Sequence, residues 1–192
     1  MTCVLAVRTP KFAVVAADTL LDCGGDRRTV SKVVANEHGV VVAFAGTIGP
    51  LWRAITVEGR LRGVTTLDDA YRALASYNKQ QVTDHQLHAA VTSEDFCAPE
   101  DILIATPEGV CVTDNAGSRS VGLRFPGLGN LEVEGVGTGR NAGICYVLAS
   151  LKADKALANS AARMEKLLEQ AVQAVSHLDS GVGHTVTTVV VR

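Results

Sequence analysis

The sequence predicts an α+β domain with layered antiparallel sheets, on three observations. Strand-type runs come in pairs, each pair interrupted by turn residues. Stretches of helical period are grouped between those pairs instead of alternating with single strands. The last nine residues, "HTVTTVVVR", read as a further strand, alternating or fully buried. This order argues against a strictly alternating parallel sheet.

Each element follows from local pattern. "TCVLAVRT" and "FAVVAADT" are rich in β-branched and small residues and are separated by Pro10 and Lys11, which predicts a hairpin. After a loop containing Gly24 and Gly25, "SKVVANEHGVVVAFAG" predicts a second hairpin turning near Asn36 to Gly39. The first 46 residues thus hold four strands in this reading. From Ile48 to about Gly63, and from Thr66 to about Val91, apolar residues recur at three- and four-residue intervals. Leu67, Tyr71, Leu74 and Tyr77 form one such row. Thr66, followed by Asp68 and Asp69, has the character of an N-cap with acids in the first turn. "DILIATPEGVCVTD" predicts a third hairpin turning at Pro107 to Gly109, and "LEVEGVG" another strand. Helices are expected from about Arg140 to Lys155 and from Asn159 to about His177. With no internal repeat, low-complexity tract or linker, residues 1–192 read as one domain.

Composition narrows the function classes. Hydrophobic residues make up 47% of the chain and charged ones 20%, which fits a packed core and not a disordered chain. A formal net charge of −2 gives no electrostatic basis for binding nucleic acid or an anionic membrane. No uninterrupted apolar run reaches the ~18 to 20 residues that span a bilayer, and Arg8, Pro10 and Lys11 interrupt any secretory h-region. The five cysteines are odd in number and scattered, with no CxxC, so neither a disulfide framework nor a zinc site is signalled. The expectation is a cytoplasmic protein. Aromatics are only 4%, and the Ala, Val and Gly that replace them leave apolar area compatible with an oligomer interface.

The chemistry starts at Thr2. A hydroxyl is a poor nucleophile at neutral pH and needs a base beside it. If Met1 is removed, Thr2 carries both a hydroxyl and a free α-amine, whose reference pKa near ~8 suits that role. A buried lysine would tune these groups by like-charge repulsion, and an aspartate would orient the lysine. Asp18 at the end of the second strand and Lys32 at the start of the third are placed for this. Taken singly, each also fits a turn carboxylate and a solvated lysine.

Together these residues resemble a family. The stretch from Thr2 to Gly49, "TCVLAVRTPKFAVVAADTLLDCGGDRRTVSKVVANEHGVVVAFAGTIG", is similar to the amino-terminal region of proteasome β-subunits and of HslV-like peptidases. It joins an early threonine, a second strand ending in an acid, a basic residue opening the third strand and "FAG" closing the fourth. The betaproteobacterial proteasome homologue is one branch the resemblance suggests. It implies a four-layer αββα sandwich of two antiparallel sheets flanked by helices, the fold of N-terminal nucleophile (Ntn) hydrolases. It further implies Thr2 as nucleophile with its α-amine as base, Lys32 tuning Thr2, and Asp18 accepting hydrogen bonds from Lys32. The N–H of Gly46 would form the oxyanion hole, where a glycine lets the substrate carbonyl approach the main chain. Leu20, Leu21, Val30, Phe44 and Ile48 would wall the cleft and favour an apolar side chain before the scissile bond. The implied assembly is a homo-oligomer of stacked rings, with the helix carrying Trp52 available for ring contacts. Its substrates would be peptides or unfolded proteins, with an unfolding ATPase as a potential partner. The chemistry needs no metal or organic cofactor.

Two further stretches bear on the site. "GVGTGRNAG" fits the dinucleotide fingerprint at Gly137 to Ala142, but no following strand completes a βαβ unit within ~30 residues. In the family a Gly-Ser-Gly stands here, with its serine in the active-site network. Thr138 keeps the hydroxyl and adds a methyl. In "SHLDSGVGH", Ser180 and Gly181 match a supporting serine and glycine, but the family's aspartate three residues earlier is His177, and the acid lies at Asp179. Either His177 takes over the hydrogen bond, the loop shifts by two residues, or the network weakens. Cys3 reads as a small buried residue and Cys23 as loop-exposed, without activation. His85 and His88 lie three apart on an expected helix but lack further metal ligands. Two alternatives keep the fold: a catalytically silent ring-forming scaffold that retains Met1, and a non-proteolytic Ntn amidase.

Overall fold

The computed structural model describes residues 2–23, 26–46, 55–56, 58–77, 101–114 and 118–192. One five-stranded antiparallel sheet has the order β10-β11-β1-β2-β12. It comprises β1 (Val4–Arg8), β2 (Ala13–Asp18), β10 (Leu123–Phe125), β11 (Leu131–Val136) and β12 (Val186–Val191). The second, ordered β5-β6-β7-β8-β9, comprises β5 (Val33–Ala35), β6 (Val41–Ala45), β7 (Asp101–Thr106), β8 (Gly109–Thr113) and β9 (Arg119–Val121). A separate two-stranded ribbon pairs β3 (Leu20–Cys23) with β4 (Asp26–Thr29). Helices α1 (67–77), α2 (Arg140–Ala153) and α3 (Ala161–Ser176) cover the outer faces.

Strand alternation explains why the sequence shows near-continuous apolar runs. On β1, Leu5 and Val7 face α2 and α3, packing with Val147, Leu151, Met164 and Leu168. Val4 and Ala6 face the other sheet and meet Val41, Ala43, Leu103 and Ala105. On β6 and β7, Val42, Phe44, Ile102 and Ile104 face α1, where Leu67, Ala70, Leu74 and Tyr77 complete the third cluster. Both faces of each sheet are buried, so both must be apolar. The gap between sheets is lined by alanines and valines, which lets the layers approach. The sandwich is therefore helix, sheet, sheet, helix.

Most predicted elements are present, with three corrections. Gly24 and Gly25, expected in a loop, lie outside the described residues; the residues on either side pair as β3 and β4, so the described part of the first 46 residues holds six strands, not four. These charged, short strands carry no apolar period. Strands β9 and β10, three residues each and mostly exposed, also lack one. The helix expected up to Gly63 does not reach it: residues 58–66 form turns and bends. Gly59 and Gly63 sit at positive φ (67° and 71°), and Asn36 Nδ2 donates to the carbonyls of Leu61 (2.9 Å) and Val64 (2.7 Å). Half of that expected helix, Trp52 included, and the second helix beyond Tyr77, with His85 and His88, lie outside the described residues. The Thr66 cap is present, its Oγ1 accepting from the Asp69 amide at 3.1 Å. Among the described residues no helix is long and apolar enough to cross a membrane.

Candidate active site

Asp18 closes β2 between its neighbours β1 and β12, and its carboxylate is fully buried. Such a group persists only when hydrogen-bonded and paired. Its Oδ1 accepts from the Cys3 amide at 2.9 Å. Its Oδ2 accepts from the amides of Leu20 (3.2 Å) and Gly183 (3.1 Å) and from Lys32 Nζ (2.9 Å). Three stretches of chain converge on this one carboxylate.

Lys32 precedes β5, where its carbonyl accepts from the Phe44 amide at 3.2 Å, tying it to β6. Its side chain is only 1% exposed. From there Nζ donates to Thr2 Oγ1 at 2.9 Å while it pairs with Asp18. Burial lowers the Lys32 pKa from its ordinary value, and the Asp18 charge and hydrogen bond oppose that shift. The ammonium is thus shared between a carboxylate and the threonine hydroxyl. The structure brings together Thr2, Asp18 and Lys32, named from sequence.

Thr2 is held from its other side by the turn after β11. The Gly139 amide donates to the Thr2 carbonyl at 3.3 Å. Both glycines of that turn are occupied by the chain itself: a Cβ on Gly139 would stand 2.5 Å from Val175 Cγ1 and 2.9 Å from Cys3 Cβ. The strand that follows the two helices, β12, runs antiparallel to β11, so no βαβ unit exists here. The glycines from Gly137 serve close packing instead, Gly137 on the Thr2 backbone and Gly139 on Cys3 and Val175.

The loop from α3 to β12 resolves the displaced acid. Asp179 Oδ2 accepts from Thr138 Oγ1 at 2.7 Å, and its Oδ1 accepts from the Gly181 amide at 2.9 Å. These bonds hold its carboxyl below the usual range, Thr138 being the larger cause. Asp179, not His177, thus meets the Thr138 hydroxyl. The His177 ring instead packs edge-on against His184, centroids 4.9 Å apart. Ser180 is exposed, and no side-chain hydrogen bond is found for it among the described residues.

Gly46 follows β6 with φ 114°, a conformation that favours glycine, at the same end of the second sheet as Lys32. Of the expected cleft residues, Leu20, Leu21 and Val30 are partly exposed on and beside the β3–β4 ribbon. Phe44 differs: it is fully buried in the cluster under α1, because even-numbered positions of β6 face the helix layer. The structure gives it no open wall to form. Ile48 lies outside the described residues. Cys3 points into the helix-side core, and burial foremost pushes its thiol up to about 12, so it stays protonated at neutral pH. Among the described residues no group of three His, Cys, Asp or Glu is placed to hold a metal.

Sequence reasoning missed Gly183. Its amide completes the Asp18 shell, and a Cβ there would stand 2.7 Å from Leu20 Cβ and 3.1 Å from the Leu20 nitrogen. The only trace in sequence is the second glycine of "GVGH".

The αββα sandwich at whose end this hydroxyl, ammonium and carboxylate meet is the Ntn-hydrolase fold, and the chain shares it with several solved structures. HslV from Trypanosoma brucei is 17% identical with a TM-score of 0.68, covering 99% of this chain and 99% of its own. The Thiobacillus denitrificans bacterial proteasome homologue BPH, solved in complex with epoxomicin, is 18% identical with a TM-score of 0.68, covering 98% and 97%. Anbu (ancestral beta-subunit) from Yersinia bercovieri is 12% identical with a TM-score of 0.70, covering 98% of this chain and 80% of its own. No protein-family model matches the chain, and a comparison with curated protein sequences finds no match.

Proposed function

We propose that the chain is a threonine peptidase of the proteasome type, acting once Met1 has been removed. The observation that carries this is Lys32 Nζ lying 2.9 Å from both Thr2 Oγ1 and Asp18 Oδ2, with all three residues buried. A buried lysine aimed at a threonine hydroxyl has little structural reason to be there, since an apolar pair of the same volume serves the core at least as well.

In this reading the free α-amine of Thr2 takes the Oγ1 proton, directly or through a water, as Oγ1 attacks the substrate carbonyl carbon. Lys32 stabilises the developing alkoxide, and the Gly46 amide donates to the tetrahedral oxyanion. Collapse breaks the C–N bond, and the leaving amine takes the proton held by the Thr2 amine. Water then hydrolyses the threonine ester and restores the hydroxyl. Asp179, oriented by Gly181, and Thr138 position the polar surround, with Ser180 beside them. Leu20, Leu21 and Val30 offer an apolar surface, so leucine-like side chains are favoured before the scissile bond. Subunits assemble as a homo-oligomer of stacked rings in a cytoplasmic setting, with an unfolding ATPase as a potential partner, and residues 1–192 act as one domain.

Intact-mass measurement with a threonine-directed probe tests this. An epoxyketone such as epoxomicin, which the Thiobacillus homologue binds, or a β-lactone should label a species lighter by one methionine, at Thr2. A fully processed protein that takes no label overturns the reading. Unprocessed protein in the native host would favour the silent ring scaffold.

A further inference from the structure

The end of the sandwich that bears Thr2 also bears a polar cavity of about 210 Å³. Its location follows from the register. Asp101, which lines it, pairs across the sheet with Ala45, the residue before Gly46. Arg140, also in its wall, directly follows Gly139, whose amide holds the Thr2 carbonyl. The remaining polar wall comes from Asp114, Ser118, Arg119 and Ser120, at the ends of β8 and β9. Along this edge of the second sheet Lys32 precedes β5, Gly46 follows β6, Asp101 opens β7, Asp114 follows β8 and Arg119 opens β9. The apolar residues Leu20, Leu21 and Val30 lie on the β5 side, whereas the cavity lies on the other.

Arg119 is committed elsewhere: its Nη1 contacts Asp68 Oδ1 at 2.5 Å and its guanidinium lies 5.1 Å over the Tyr71 ring, both on α1. Asp114 Oδ1 accepts from the Ser118 amide at 2.8 Å. Asp101 is half-buried, and among the described residues its carboxylate has no hydrogen bond or ion pair. Burial raises its pKa, with exposed Arg140 opposing from beyond salt-bridge range. Asp101 thus faces the cavity with no donor among the described residues, and two serine hydroxyls lie beside it. A partly desolvated carboxylate without a donor is costly until a cation reaches it.

Building on the peptidase reading, we infer that this cavity is a subsite for a basic side chain on the leaving-group side of the scissile bond. With the reacting carbonyl at Gly46, a substrate running from the β5 side towards β8 passes over it. Strands lie about 4.8 Å apart and an extended chain advances about 3.3 Å per residue, so β7 and β8 fall under the first three residues after the bond. A lysine or arginine there would donate to Asp101 and Asp114, and the serine hydroxyls would accept its remaining protons.

Internally quenched peptides test this, each with leucine before the scissile bond and Lys, Ala or Glu at each of the three following positions. At one of these positions Lys should raise kcat/KM about tenfold over Glu, the scale of one charge-assisted hydrogen bond. Asp101→Asn should bring that ratio close to one while leaving the rate of β-lactone labelling at Thr2 unchanged. Arg140→Ala, which removes the competing cation, should widen it. Equal cleavage of all peptides, a preference for Glu, or a preference that survives Asp101→Asn overturns the subsite. So does labelled protein that cleaves none of the set. Absence of Thr2 labelling instead sinks the peptidase reading, and the subsite with it.

Discussion

Gly137 and Thr2 meet backbone to backbone: a Cβ built on Gly137 would stand 2.2 Å from the Thr2 carbonyl oxygen and 2.8 Å from its carbonyl carbon. Gly137 also sits at φ 88°, which side-chain-bearing residues rarely adopt. Gly137→Ala therefore meets both a steric and a conformational penalty, and should destabilise the fold by about 2 to 4 kcal/mol. The strain falls on Thr2, so labelling of its hydroxyl should slow as well. Gly127→Ala is the control, with nothing within 4 Å of its Cβ; it should stay within about 0.5 kcal/mol of wild type in urea unfolding.

The Lys32–Asp18 pair predicts an asymmetry between two single substitutions. Asp18→Ala removes the only carboxylate within ion-pair distance of a buried ammonium among the described residues, leaving it Thr2 Oγ1 as its remaining hydrogen-bond partner. It also strips the amides of Cys3, Leu20 and Gly183 of their acceptor. A loss of about 3 to 5 kcal/mol is expected. Lys32→Met leaves Asp18 with three amide donors and should cost less, about 1 to 3 kcal/mol. Both should slow Thr2 labelling by at least about 100-fold, since each removes the charge or its orientation. Equal stability losses in thermal unfolding would contradict the role given to the three amides.

At Thr138 the hydroxyl, which donates to Asp179, is expected to matter and the methyl is not. Thr138→Ser preserves the 2.7 Å bond to Asp179, whereas Thr138→Val keeps the shape and removes the donor. The serine variant should label at wild-type rate and the valine variant about tenfold more slowly, the effect of one hydrogen bond to a charged group. His177→Ala should leave the labelling rate unchanged, because the acid that meets Thr138 is Asp179. A large loss at His177, with none at Asp179→Asn, would reverse the assignment.

Legibility in the sequence followed burial. β1, β2, β6, β7 and β8 are apolar on both faces, so their runs could be read without a partner in view. The β3–β4 ribbon and β9 with β10 could not, because exposed short strands owe their form to pairing and carry no hydrophobic period. Thr2, Asp18 and Lys32 were legible only as a set joined by a family resemblance; spacing alone does not show that β1, β2 and the approach to β5 converge. Gly183 was hidden because its contribution is a backbone amide and an absent Cβ, which leave no mark in residue chemistry. Phe44 was misread because a position on β6 says nothing of its face until the register with Ile102 is known.

Alkaline pH should expose the cost of the buried thiols. Burial foremost raises Cys3 from 9.0 to about 12 and Cys111 from 9.0 to about 11. In both cases the folded state holds its proton to higher pH than the unfolded chain does. Their contribution is therefore complete below about pH 9 and is lost as pH rises, through about 11 for Cys111 and about 12 for Cys3. At about 1.4 kcal/mol per unit the two losses approach about 4 kcal/mol for Cys3 and about 3 kcal/mol for Cys111. Lys32 runs the other way: its folded pKa is lowered, so the unfolded chain binds the extra proton and stability rises with pH up to 10.5. Above pH 10.5 the lysine effect is exhausted while both thiols still act, so their joint contribution there falls with pH. Melting temperatures in reductant should therefore fall more steeply above pH 10.5 in the wild type than in Cys3→Ala. A Cys3→Ala protein with an unchanged alkaline slope would show that its thiol ionises as readily in the fold as outside it.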